Sequence, residues 1–123
     1  MVDTWRIYFV RKCRHARPSP KSKLVVIVCQ DGEKYHGFLI NTRIVPYIKL
    51  RPALLVCQAP INVSQHSCLS HDSYVDCAEL YGFTSGELNN PRNQISPDAK
   101  ESIIKAVYSS KTIENRYKRL ILG

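Results

Sequence analysis

The sequence predicts an α+β domain, mainly β, in which a small antiparallel sheet curls into a half-open barrel closed by one or more C-terminal helices. Three observations predict it. Four or five strand-length apolar runs precede the first clear helical pattern. Few helices separate those runs, which disfavours a parallel sheet. The last quarter carries a capped amphipathic helix. A chain of 123 residues fits a single domain over 1–123 and can bury a core without staples.

The elements follow in order. Residues 5–10 (WRIYFV) are aromatic and β-branched with no breaker, which reads as a strand. Residues 11–23 (RKCRHARPSPKSK) hold Arg11, Lys12, Arg14, Arg17, Lys21 and Lys23 with two prolines and no acid, a pattern that predicts an exposed basic loop. Residues 24–29 (LVVIVC) form a continuous apolar run, expected to be a central strand buried on both faces. Asp31-Gly32 signals a tight turn, and residues 34–41 (KYHGFLIN) return as a strand bent at Gly37. Pro46 and Pro52 argue against a long helix between 42 and 52.

Residues 53–61 (ALLVCQAPI) read as another strand, and Ser73 to Cys77 as a further one. Residues 84–94, with their breakers and asparagines, read as a loop. Ser96 is an N-cap with Pro97 at the first helical position and Asp98 and Glu101 in the first turns. Ala99, Ile103 and Val107, with Ile104 and Tyr108, then recur at helical spacing as one apolar stripe. A second short helix is predicted from Ile113 to Leu122.

The net charge is +8, from 18 Lys and Arg against 10 Asp and Glu. It is concentrated in the basic loop, so the charge favours an anionic partner. The five cysteines show no CxxC spacing, and the first residues lack the apolar stretch of a secretory leader. Reduced thiols in a soluble, cytoplasmic protein are therefore expected. No apolar run approaches the roughly 20 residues that cross a bilayer, so no membrane partner is expected. No Walker-type loop and no GxGxxG occurs, and no cofactor is expected.

The order of pieces resembles the PemK/MazF-like toxin family. The resemblance rests on residues 24–29 after the basic loop, 54–62 (LLVCQAPIN), 72–80 (DSYVDCAEL) and 95–107 leading into the helix. It implies an SH3-like barrel, endoribonuclease-type activity, an acidic antitoxin partner from a toxin–antitoxin pair, and a homodimer. This sequence departs from the pattern at two places: Lys21-Ser22-Lys23-Leu24 stands where family members carry Arg-Pro, and Asn62 stands where they carry Thr or Ser.

Four groups of residues could carry chemistry. Arg11, Lys12, Arg14, Arg17 and Lys21 could bind the phosphates of single-stranded RNA, with Trp5, Tyr8 and Phe9 near enough to stack on bases. Metal-independent RNA cleavage needs a base, an acid and a cation. Lys23 could be the cation, His71 an acid or base, and Asn62 and Ser73 complete the candidate reaction centre. His66, Cys68, His71 and Cys77 are zinc-ligand residue types whose spacing matches no familiar closed site, so no metal is expected. Cys13, set among Arg11, Lys12, Arg14 and His15, could be a reactive thiol. The alternative to a nuclease is a non-catalytic barrel that binds nucleic acid or an acidic protein partner.

Overall fold

A computed structural model describes residues 2–123. The strands are β1 (Arg6–Cys13), β2 (Lys21–Asp31), β3 (Lys34–Asn41), β4 (Gln58–Ile61), β5 (Ser73–Asp76), β6 (Tyr81–Phe83) and β7 (Pro91–Gln94). The helices are α1 (Pro46–Lys49), α2 (Pro52–Leu55), α3 (Pro97–Ser109) and α4 (Asn115–Leu122). The sheet runs β4-β5-β3-β2-β1-β7, with β6 also on β3, and every pairing is antiparallel.

Strand β2 is central because its apolar run serves two cores. Val26 and Val28 face one core with Ile7, Phe38, Ile40, Val75, Ile103 and Val107. Val25 and Ile27 face the other with Tyr8, Val10, Leu39, Phe83 and Leu88. Alternation along a strand sends neighbouring residues to opposite faces, so only a continuous apolar run can satisfy both.

The sheet curls where β3 changes partner. Tyr35 to Gly37 pair with β6, whereas Ile40 and Asn41 pair with β5. Gly37 sits at that bend, and a Cβ there would lie 2.2 Å from the carbonyl oxygen of Val26. The β2–β3 register also shifts between Ile27 and Cys29. Gly32, at φ 63°, closes the turn from β2 to β3.

Helix α3 closes one core. Ser96 Oγ accepts from Ala99 N–H at 3.1 Å, Pro97 occupies the first turn, and Ala99, Ile103, Ala106 and Val107 are buried. Helix α4 buries Ile121 and lays Tyr117 against His36, with ring centroids 4.7 Å apart.

Three elements differ from the sequence expectation. Residues 53–61 are not one strand: α2 takes the first part with Pro52 in its opening turn, and only Gln58–Ile61 pairs with β5. Residues 84–94 are not all loop, because β7 adds an edge to β1, with Pro91 at its first position where no ladder donor is missed. Residues 11–23 are not all exposed loop. β1 continues through a bulge at Lys12, φ 50°, and Cys13 and Ala16 are buried. Burial of Cys13 with no exposed surface removes the basis for reading it as an accessible reactive thiol.

Candidate nucleic-acid interface

Past the bulge, the chain from His15 to Lys23 crosses one end of the barrel. There it meets the C-terminal end of β3, the Tyr74 and Asp76 face of β5 and the short helices α1 and α2. Between them lies a groove of about 700 Å³. Arg17, Lys21 and Lys23 line one side, Asn41 and Asp76 its floor, and Val45, Tyr47, Ile48 and Leu54 an apolar rim.

Lys23 is half-buried, and its Nζ donates to Asn41 Oδ1 at 2.6 Å. Burial and then the neighbouring Lys21 charge lower its pKa from the ordinary lysine value, while the thiol of Cys13 and the carboxylate of Asp76 act in the opposite sense. Asp76 is fixed by two hydrogen bonds, from Gln58 Nε2 at 2.9 Å and from Ala78 N–H at 3.1 Å. Both land on Oδ1, so Oδ2 has no hydrogen-bond partner among the described residues. The register explains the convergence: Asp76 and Tyr74 share one face of β5, Tyr74 pairs with Asn41, and Lys23 reaches Asn41 from β2.

Two aromatic side chains stand at the groove. Tyr47 is 59% exposed and carries the Arg51 guanidinium over its ring at 3.6 Å. Tyr81 stacks on His15 with centroids 4.5 Å apart. Burial and a hydrogen bond to Glu79 raise the Tyr81 hydroxyl well above its ordinary pKa, so it donates and does not ionise. A half-buried ammonium, a carboxylate with a free oxygen and flanking cations together can hold a phosphate, accept a proton and neutralise developing negative charge.

No protein-family model and no curated protein sequence matches the chain. Solved structures do. The Mycobacterium tuberculosis toxin MazF-mt6 superposes with a TM-score of 0.60 at 13% identity, over 83% of this chain and 91% of that one. An endoribonuclease from a mycobacterial species, in complex with its cognate antitoxin, gives 0.66 at 12% identity, over 93% and 98%. A further mycobacterial endoribonuclease gives 0.62 at 11% identity, over 89% and 90%. The chain has the PemK/MazF-like fold.

Within the PemK/MazF-like barrel the sequence-derived residues fall into separate groups. Arg17, Lys21 and Lys23 line the groove. Arg11 and Lys12 are exposed on the bulge of β1, outside it. Arg14 forms an ion pair with Glu87 at 3.2 Å and donates to the carbonyl of Gly82. Lys23 is not brought together with Asn62, His71 and Ser73. None of the three lines the groove: Ser73 alternates with Tyr74 along β5 and so faces away from the side that carries Tyr74 and Asp76, while Asn62 and His71 lie just outside the Ile61–Ser73 pair. Ser73 is buried and donates to the His71 carbonyl, His71 and Asn62 are exposed, and Asp72 accepts from Val63 N–H at 2.8 Å.

His66 is fully buried, with Nδ1 2.9 Å from the Asn62 carbonyl and Nε2 accepting from Ser96 N–H at 3.0 Å. Both ring nitrogens are thus engaged by backbone, and the residue fastens the 62–66 turn to the start of α3. Cys77 is buried in the core. The aromatic residues flanking the basic segment also lie elsewhere. Tyr8 is buried, Phe9 is covered by Arg92 at 5.3 Å, and Trp5 lies under Lys100 at 4.9 Å. Asn41, Asp76 and Tyr47 are the groove residues that sequence reasoning missed. Asp76 alternates with buried Val75 in SYVD, the one local sign that it faces away from the core.

Proposed function

We propose that this chain is a toxin-type protein that binds single-stranded RNA in the Lys23 groove and cleaves it there as a metal-independent endoribonuclease. The observation that carries the reading is the half-buried Lys23 ammonium, hydrogen-bonded to Asn41 in a basic groove that also holds Asp76. The likeness to mycobacterial endoribonucleases supports the fold on which this groove is built.

In the proposed reaction Asp76 Oδ2 takes the proton of the 2′-hydroxyl. The 2′-oxygen attacks phosphorus, the bond to the 5′-oxygen breaks, and a 2′,3′-cyclic phosphate and a 5′-hydroxyl result. Lys23 neutralises the pentacoordinate phosphorus and its lowered pKa suits it to protonate the leaving oxygen. Arg17 and Lys21 hold flanking phosphates, and Tyr47 offers a base a stacking face. Asn62, His71 and Ser73 stand outside this centre. Cleavage of RNA in EDTA by the wild type, lost in Lys23→Met, tests the reading; intact RNA with wild type overturns it.

An acidic antitoxin segment belongs to the same proposal. The apolar rim of Val45, Tyr47, Ile48 and Leu54 beside Lys21 and Lys23 suits an amphipathic acidic peptide, which would occlude the groove. Homodimerisation is proposed with it, and the exposed Leu50 and Val56 beside α1 and α2 supply apolar surface for a second copy. Sedimentation of the wild type against Leu50→Glu reads that out: a dimer converted to monomer supports it, and a monomeric wild type removes it.

A further inference from the structure

A second cavity, of about 280 Å³, opens beside the first under α4. It is lined by Arg14, Lys34, His36, Gly82 and Tyr117, with Glu114 the one acid on its wall, and His15, Leu80 and Thr112 line both cavities. The two spaces therefore share a wall.

Three features of this cavity have no use in the fold. His36 is only 8% exposed, and neither ring nitrogen has a hydrogen-bond partner among the described residues; Nδ1 is sealed from solvent, and Nε2 is the one that faces the space at Gly82. Buried polar groups nearly always find a partner, so an exception calls for a reason. Gly82 is the second. It does not have a left-handed backbone, yet it carries no side chain. A Cβ there would stand 3.6 Å from His36 Nε2 and 3.9 Å from Lys34 Cδ. The glycine thus leaves open the space next to the imidazole edge. Lys34 is the third: it is exposed at the mouth and makes no ion pair among the described residues. Arg14 adds a second cation, held in place by Glu87 and by the Gly82 carbonyl.

We propose that this cavity is a second phosphate site, which takes the backbone phosphate of a nucleotide flanking the one in the Lys23 groove. His36 Nε2–H and Lys34 Nζ donate to the phosphate oxygens, Arg14 supplies further positive charge, and Gly82 provides the clearance. The inference rests on the RNA reading of the groove, and it extends that groove along the wall at His15 towards α4. It makes Lys34, His36 and Gly82 residues that position RNA, at a distance from the bond that breaks.

The test uses the whole chain with ring-labelled histidines and an uncleavable 2′-O-methyl oligoribonucleotide. His36 ring signals report the second cavity, and the Asn41 side-chain amide reports the groove. The proposal expects RNA to move both. It expects Lys34→Ala and Gly82→Ala to abolish the His36 response while the Asn41 response stays. Lys34→Ala should also lower the slope of log affinity against log salt by about 0.7, the share of one phosphate contact on a single strand. The Gly82→Ala contacts are ordinary van der Waals distances, so that variant folds. RNA that moves Asn41 and leaves His36 still overturns this inference and keeps the groove. RNA that moves neither overturns the RNA reading itself. Inorganic phosphate that moves His36 where RNA does not also overturns it, and makes the cavity a site for a free anion.

Discussion

Replacing His66 with Ala should destabilise the fold without touching the groove. The imidazole is fully buried, and it satisfies one backbone acceptor, the Asn62 carbonyl, and one backbone donor, Ser96 N–H. Alanine leaves both without a partner in the protein. Each unsatisfied buried group costs about 1–3 kcal/mol, and the space left by the ring adds to that unless water fills it. The expected loss is about 3 kcal/mol, which for a chain of this size lowers Tm by about 10 °C. His66→Asn places an amide nitrogen near the Nδ1 position and should restore part of the loss. His66→Gln places an amide oxygen near the Nε2 position, where it can accept from Ser96 N–H. Thermal unfolding followed by circular dichroism measures all three. A Tm for His66→Ala within about 2 °C of wild type would refute the reasoning, because it would mean that neither backbone group depends on the ring.

Further outcomes follow from the same geometry. Gly37→Ala should fail to accumulate as folded protein, since its Cβ would lie 2.2 Å from a backbone oxygen of the neighbouring strand; normal expression and a cooperative melt would contradict this. Ser96→Ala should cost about 1 kcal/mol by loss of the cap on Ala99 N–H, read from the denaturant midpoint. In the native state only Cys68 should react readily with a thiol reagent. The other four cysteines are buried, and burial followed by the Asp31 charge raises the Cys29 pKa to about 11. Two or more fast thiols would refute it.

The charge on Lys23 gives a prediction with a sign. Burial, reinforced by Lys21, lowers its folded pKa below the unfolded value, so the folded state disfavours the proton. Wild-type stability should therefore rise as pH climbs from the folded pKa towards 10.5. Lys23→Met should be the more stable protein at neutral pH and should lose that advantage over this window. An advantage that does not change with pH would show that the charge is not the cause.

Much of the fold is legible in the sequence wherever one local pattern has one physical solution. The run LVVIVC can only be buried on both faces, and it is β2. Ser96-Pro97 followed by the stripe at Ala99, Ile103 and Val107 is a capped amphipathic helix, and it is α3. Residues 53–56 mislead because ALLV suits a strand equally well, and the turn of helix is imposed by Pro52 and by the pairing of Gln58–Ile61 with β5. Residues 91–94 mislead because an edge strand needs only one partner and tolerates proline.

The candidate site is less legible because it is assembled across strands. Lys23 is visible as a cation, but nothing near it in sequence announces Asn41 or Asp76. Their meeting depends on the β3–β5 and β2–β3 registers. His71 is conspicuous in sequence through its neighbours Asp72 and Ser73, yet those neighbours serve the turn, with Asp72 holding Val63 N–H and Ser73 donating to the His71 carbonyl.

The most direct test of the central claim is cleavage of a long single-stranded RNA in EDTA by wild type, Lys23→Met, Asp76→Asn and His71→Ala. The account predicts defined cuts ending in 2′,3′-cyclic phosphate with wild type and His71→Ala, and none with Lys23→Met or Asp76→Asn. Undiminished cutting by Lys23→Met, or loss of cutting in His71→Ala with Lys23→Met still active, would contradict it and move the reaction to the turn at His71.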